Sequence, residues 1–149
     1  MLQFPQASIF VANEQLYASS GPDVRKDAIK SRRLRILVID DDDDLRDSMA
    51  LLLASKYGAI VASAESGLKG IEALKAGSTF DVIFLDLRMS EMDGLQTFYE
   101  LRRQGVTSRI VLMSAHGRGP EWNEALKLNV ELFEKPILEE TLISILSQL

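Results

Sequence analysis

Five residues of this 149-residue chain stand where a short apolar run gives way to polar sequence: Asp40 and Asp41, Asp86, Ser114 and Lys135. Short runs rich in Val, Ile and Leu read as buried strands. In open α/β sheets, ligands bind at the carboxyl ends of the strands. Three acids, one hydroxyl and one amine are therefore delivered to one rim by four separate strands. Three carboxylates gathered within ~5 Å repel by ~3 kcal/mol per pair at an effective dielectric near 20. Such a cluster makes sense when a divalent cation and a lysine neutralise it. Mg²⁺ suits these residues: all-oxygen ligands, retained waters, and a substrate phosphate to complete the shell. Given that charge, the Asp86 carboxylate can attack a phosphorus centre and hold the phosphoryl group as an acyl phosphate. The transfer asks mainly for positioning and for neutralisation of the equatorial oxygens. Lys135 supplies an ammonium, and Ser114 Oγ and the Ala115 backbone N–H supply hydrogen bonds. The neighbouring Asp42, Asp43 and Asp44 have a simpler explanation, because acids favour a helix N-terminus and solvent.

Composition narrows the chemistry further. There is no cysteine and one histidine, His116, which removes disulfide scaffolds, thiolate sites and multi-histidine metal centres. Any metal must be a hard ion held by oxygen. A net charge of −5 argues against general nucleic-acid binding through a basic surface. No segment reaches the roughly 18 apolar residues of a membrane span. The N-terminus has no Lys or Arg before Arg25, so it does not read as a signal peptide. A cytoplasmic protein is expected.

The elements that must position the five residues follow from the pattern. Strands are expected over 35–39, 59–63, 81–85, 109–113 and 132–133. Helices are expected over 45–53, 68–76, 94–103, 120–127 and 137–149, with Gly77, Gly105 and Pro120 as boundary signals. Buried strands separated by helix-length crossovers imply an α/β fold, a doubly wound parallel sheet with helices on both faces.

The first 33 residues differ. They carry five Lys/Arg and three Asp/Glu, net +2, against twelve and nineteen, net −7, in residues 34–149. They show no sustained period and are punctuated by Pro5 and Gly21-Pro22. A short strand over 8–11 and a helix over 23–33 are the local expectations. Residues 1–33 are expected to be a flexible extension, dispensable to the core. The alternative is a structural element that covers a helix face or mediates a homodimer.

In four stretches the chain resembles a response-regulator receiver domain of two-component signalling. They are Arg35-Ile-Leu-Val-Ile-Asp-Asp41, Asp81-Val-Ile-Phe-Leu-Asp-Leu-Arg-Met-Ser-Glu-Met-Asp-Gly94, Ile110-Val-Leu-Met-Ser-Ala-His-Gly117 and Phe133-Glu-Lys-Pro-Ile137. Intervals of 45, 28 and 21 residues separate Asp41, Asp86, Ser114 and Lys135, and they suit that family. The resemblance covers residues 34–149. It implies a flavodoxin-like sheet of order 2-1-3-4-5. It implies that Asp86 accepts a phosphoryl group from a sensor histidine kinase or a histidine phosphotransfer protein. It also implies that Asp41, Asp86 and the backbone carbonyl of Arg88 ligate Mg²⁺, with Asp40 acting through water. Lys135 would contact the phosphoryl group, and Ser114 would be the switch hydroxyl. Such a protein is a phosphoacceptor that promotes its own phosphorylation and dephosphorylation, not a turnover enzyme. With nothing after the last helix, output is expected through a downstream protein target or onward phosphotransfer, without direct nucleic-acid contact or membrane insertion.

Three departures bear on output. Ser90 stands where the family usually has proline, which predicts a looser loop after Asp86. Leu132 replaces the family's switch aromatic, and the connection into the fifth strand is about one residue short. Leucine can stay buried in either state, so the bistable element is expected between His116 and Glu121. A haloacid-dehalogenase-type phosphatase is the rival enzyme class, suggested by the Asp-x-Asp pattern of Asp40–Asp42. It leaves Asp86 and its Met-Asp-Gly turn without a role. A pure interaction module with a dead site is opposed by the intact acids and Lys135.

Overall fold

A computed structural model describes residues 23–149. Five strands, β1 (Arg35–Ile39), β2 (Ile60–Ala64), β3 (Val82–Asp86), β4 (Arg109–Ser114) and β5 (Glu131–Glu134), form one parallel sheet. Its order is β2-β1-β3-β4-β5. The helices among the described residues are α1 (Val24–Arg32), α2 (Asp43–Tyr57), α3 (Gly67–Lys75), α4 (Gly94–Arg103), α5 (Pro120–Lys127) and α6 (Glu139–Ser147).

Alternation along each strand divides the core in two. Ile36, Val38, Val82, Phe84, Val111 and Met113 face one layer, shared with Ile29 of α1, Leu53 and Tyr57 of α2, and Leu142 and Leu146 of α6. Leu37, Ile39, Ile83, Leu85, Ile110 and Leu112 face the other, with Ile71, Leu95, Phe98, Leu101 and Ala125 from α3, α4 and α5. Both faces of the sheet are covered, so its strands read as continuous apolar runs.

Helix ends are set by local chemistry. Asp42 caps α2 by accepting from the Leu45 N–H at 3.1 Å. The helix then runs past the expected residue 53 to Gly58, whose φ of 65° suits the left-handed cap. Helix α4 opens with a reciprocal Asp93–Gln96 capping box. Helix α6 starts two residues later than expected, because the chain stays extended through Leu138.

One expectation is corrected. Helix α1 forms where a helix over 23–33 was expected, but it is no flexible extension: Ile29 is 1% exposed and sits in the first core layer. Arg25 and Lys26 pair with Glu140 and Glu139 at the start of α6, at 2.5 and 2.6 Å. Lys56 of α2 also reaches Glu139, at 2.7 Å. Burial pushes the Glu139 carboxyl up, and the two lysines outweigh it and hold the group below its ordinary value. The strand expected over 8–11 lies outside the described residues.

Candidate functional site

Asp40 follows β1 and Asp86 ends β3, so adjacent strands set two buried carboxylates side by side. Asp41 is the next residue along and is exposed. Carboxylate oxygens of Asp40, Asp41 and Asp86 all lie within 4.8 Å of one another. Lys135, just past β5, donates from Nζ to Asp40 Oδ2 at 2.6 Å and lies 3.2 Å from Asp86 Oδ1. The Asp42 N–H holds the other Asp40 oxygen at 2.9 Å. Burial pushes the Asp86 carboxyl up to about 6; Lys135 opposes the shift and Asp40 adds to it. Burial pulls the Lys135 ammonium down, but its contacts with Asp40 and Asp86 leave it above its usual value.

The loop after Asp86 is tied down. The Arg88 backbone N–H bonds the Asp86 carboxylate. The Ser90 N–H donates to Asp41 Oδ2 at 3.3 Å. A proline there would have no N–H to give, so the departure at Ser90 adds a tether instead of loosening the loop. Gly94 packs against the same turn. A Cβ on it would run into the Asp86 carbonyl and come within 2.6 Å of Leu87 Cα.

Ser114 is at the end of β4 and fully buried. Its hydroxyl donates to the His116 carbonyl at 2.8 Å and accepts from the His116 N–H at 3.2 Å. The Ser114 carbonyl accepts from the Lys135 N–H at 2.7 Å, joining the ends of β4 and β5. Ala115 lines an apolar groove together with Asp40 and Lys135. The fold thus gathers Asp40, Asp41, Asp86 and Lys135, while the Ser114 hydroxyl is engaged with its own turn.

One participant, Arg46, and one role, that of the Arg88 side chain, escaped the sequence reading. Arg46 donates to the Asp40 carbonyl at 2.8 Å and to Asp43 Oδ1 at 2.6 Å, steadying the turn into α2. The acidic run Asp40–Asp44, which favours a neighbouring cation, was the only signal for it in the sequence. The Arg88 side chain leaves the acid cluster and donates to the Arg118 carbonyl at 2.8 Å. It thereby bridges the loop after β3 to the loop after β4.

The fold and this rim define a class, and the comparisons give the family. The response regulator receiver domain model matches residues 36–147. The chain belongs to that family, whose members are the receiver domains of two-component response regulators, phosphorylated on aspartate. It is 35% identical over 108 residues to the transcriptional regulatory protein GlrR of Escherichia coli, covering 72% of this chain and 24% of GlrR. It is 33% identical over 84 residues to the chemotaxis protein CheY of Bacillus subtilis, covering 56% of this chain and 69% of that protein. The solved chemotaxis protein CheY4 of Vibrio cholerae superposes with a TM-score of 0.65 at 25% identity, covering 77% of this chain and 97% of the other. The chain spans 24% of GlrR and 52% of the regulator FixJ of Azorhizobium caulinodans. Among the described residues, no helix is long and apolar enough to cross a membrane.

Proposed function

We propose that Asp86 is the phosphoacceptor of a cytoplasmic receiver domain, charged by a sensor histidine kinase or a histidine phosphotransfer protein. The observation that carries this reading is the buried Asp86 carboxylate, held 3.2 Å from the Lys135 ammonium and beside two further acids. One Asp86 carboxylate oxygen forms the new bond to phosphorus. The P–N bond of the donor phosphohistidine breaks, and the imidazole keeps that electron pair. Lys135 exchanges part of its contact with Asp40 and Asp86 for an oxygen of the phosphoryl group. The Ala115 N–H and the Ser114 hydroxyl serve the remaining oxygens, which requires Ser114 to release His116.

The donor set fits Mg²⁺: three carboxylates within 4.8 Å and no nitrogen or sulfur ligand among them. Asp41, Asp86 and the Arg88 carbonyl would hold it, with Asp40 reaching it through water. When bound, the ion neutralises charge on the phosphoryl oxygens. The chain turns over no external substrate. Phosphorylation alters its binding to a protein target, or the group passes onward to a histidine.

Incubation with acetyl phosphate and Mg²⁺ tests the assignment. A single base-labile adduct, located at Asp86 by mass spectrometry and lost in Asp86→Ala, is the expected result. Labelling that persists in that variant would put the acceptor elsewhere.

The output element follows from the same geometry. Leu132 is half-buried against the second core layer, where its side chain reports little about Ser114. The stretch from His116 to Glu121 touches both the Ser114 hydroxyl and Arg88, and Gly119 takes a φ of 107°. On adding beryllofluoride, hydrogen exchange is expected to change most over residues 114–122. Leu132→Ala is expected to lower stability more than it alters that change. Its disappearance in a folded Leu132→Ala chain would make the leucine the switch.

A further inference from the structure

The loop after β3 and the start of α5 border a cleft of about 470 Å³, lined by Met89 and Glu91 from the first and by Pro120 and Glu121 from the second. One side chain spans it. Arg88 Nη2 donates to the Arg118 carbonyl at 2.8 Å and lies 3.8 Å from Glu121 Oε2. Among the described residues, no other hydrogen bond joins residues 88–93 to residues 115–121. Gly119 makes room for the guanidinium, because a Cβ there would run into Nη2. Helix α5 has little local hold on its own start. Gly119 offers no side chain as a cap, and Pro120 follows it without an N–H. The Arg88 contact supplies that hold from outside the helix.

The same stretch carries the far end of the Ser114 turn. The His116 carbonyl accepts from Ser114 Oγ, and two residues on the Arg118 carbonyl accepts from Arg88. Gly117 stands between them, and a Cβ on it would lie 3.5 Å from Trp122 Cζ2. A short stretch pinned at both carbonyls moves as a unit only when both let go. Ser114 serves a phosphoryl oxygen only after releasing His116, and that release is opposed while Arg118 stays fixed. The Arg88 guanidinium is committed to this bridge, whereas Lys135 is the cation that meets Asp40 and Asp86.

We propose that the Arg88 side chain is a positioning group that latches residues 116–121 in the arrangement keeping Ser114 on His116, and so opposes the change that a phosphoryl group on Asp86 demands. The sign follows from populations. A ligand that needs Ser114 free binds an open arrangement, which the latch makes rarer. Removing the latch raises the open population, and the ligand's affinity rises by the same factor. A single charge-assisted bond in an exposed setting makes that factor ~5. The effect on affinity rests on the Asp86 reading; the hold on residues 116–121 does not.

Arg88→Met in the full-length chain removes both contacts and keeps an unbranched stem. With no metal or phosphate analogue added, hydrogen exchange over residues 114–122 is expected to run ~fivefold faster than in the parent. Trp122 is the only tryptophan of the chain and packs beside Gly117, so its fluorescence can follow a beryllofluoride titration at saturating Mg²⁺. Arg88→Met is expected to bind beryllofluoride ~fivefold more tightly. Loss of a cation would by itself weaken binding of an anion, and so would damage to the site, so tighter binding singles out a released latch. Glu121→Gln leaves the 2.8 Å bond to Arg118 in place and is expected to change either readout less than ~twofold. Unchanged exchange in Arg88→Met, or beryllofluoride binding that is unchanged or weaker, would overturn the proposal. A full effect from Glu121→Gln would overturn it as well, and would give the hold to the ion pair. A parent chain that binds no beryllofluoride defeats the Asp86 reading, and the exchange experiment still decides whether Arg88 holds the stretch.

Discussion

At pH 7.5 without divalent metal, Asp86→Asn is expected to be more stable than the parent chain, by on the order of 2–3 kcal/mol, while accepting no phosphoryl group. The Asp86 carboxyl sits at about 6 in the folded chain, pushed up by burial and by Asp40 against the pull of Lys135. In the unfolded chain it returns to its ordinary value of 3.8. A folded value above the unfolded one means that the charged form is disfavoured by folding. The cost is therefore fully present above pH 6 and fades as pH falls toward 4. Asparagine removes the charge without orphaning the ammonium, because Lys135 keeps Asp40 at 2.6 Å. Urea denaturation at pH 7.5 and at pH 4 checks the sign: the variant's advantage should shrink toward zero at the lower pH. A variant less stable than the parent at pH 7.5 would mean that the ion pair with Lys135 outweighs burial and repulsion. Mg²⁺ should raise the stability of the parent more than that of the variant, since a ligand that binds only the folded state stabilises it. The site so described stores an instability that its ligands relieve.

Much of this site was legible in the sequence because parallel strands end on one rim. Once Val82 to Leu85 reads as a strand, Asp86 has little choice of position, and the same logic places Asp40 and Lys135. The strand order and the crossovers then bring the three side chains together. What the sequence could not reveal depends on rotamers and loop paths. The closure of Ser114 onto His116, the reach of Arg88 to Arg118 and the support of Asp40 by Arg46 join residues whose spacing signals nothing. Ser90 is the sharper case. Replacing a proline suggests looseness, yet the replacement restores an N–H that Asp41 accepts. The helix over 23–33 was expected, but its place in the core escaped for another reason. Periodicity needs a stripe, and α1 is anchored by one buried apolar residue, Ile29, with charges around it. A single knob leaves no pattern to detect.

That knob is testable, and its removal is the second large effect. Ile29→Ala is expected to cost ~3 kcal/mol, in the range for truncating a buried isoleucine whose neighbours cannot close the space. Ile29 shares its layer with Leu53, Tyr57, Leu142 and Leu146, which are held by two different helices and are slow to collapse inward. Lys26→Ala, by contrast, should cost under ~1 kcal/mol, because Glu139 keeps Lys56 at 2.7 Å and partly exposed ion pairs contribute little. The two variants separate the apolar anchor from the ionic fringe in one set of urea midpoints. If both cost the same small amount, α1 is only laid on the surface and a chain begun at residue 34 would be the complete domain. If Ile29→Ala costs what its burial implies, such a chain exposes Tyr57 and Leu142 to water. The receiver would then begin at Asp23, with α1 as the wedge that fixes α6, and with it the segment that follows Lys135, against α2.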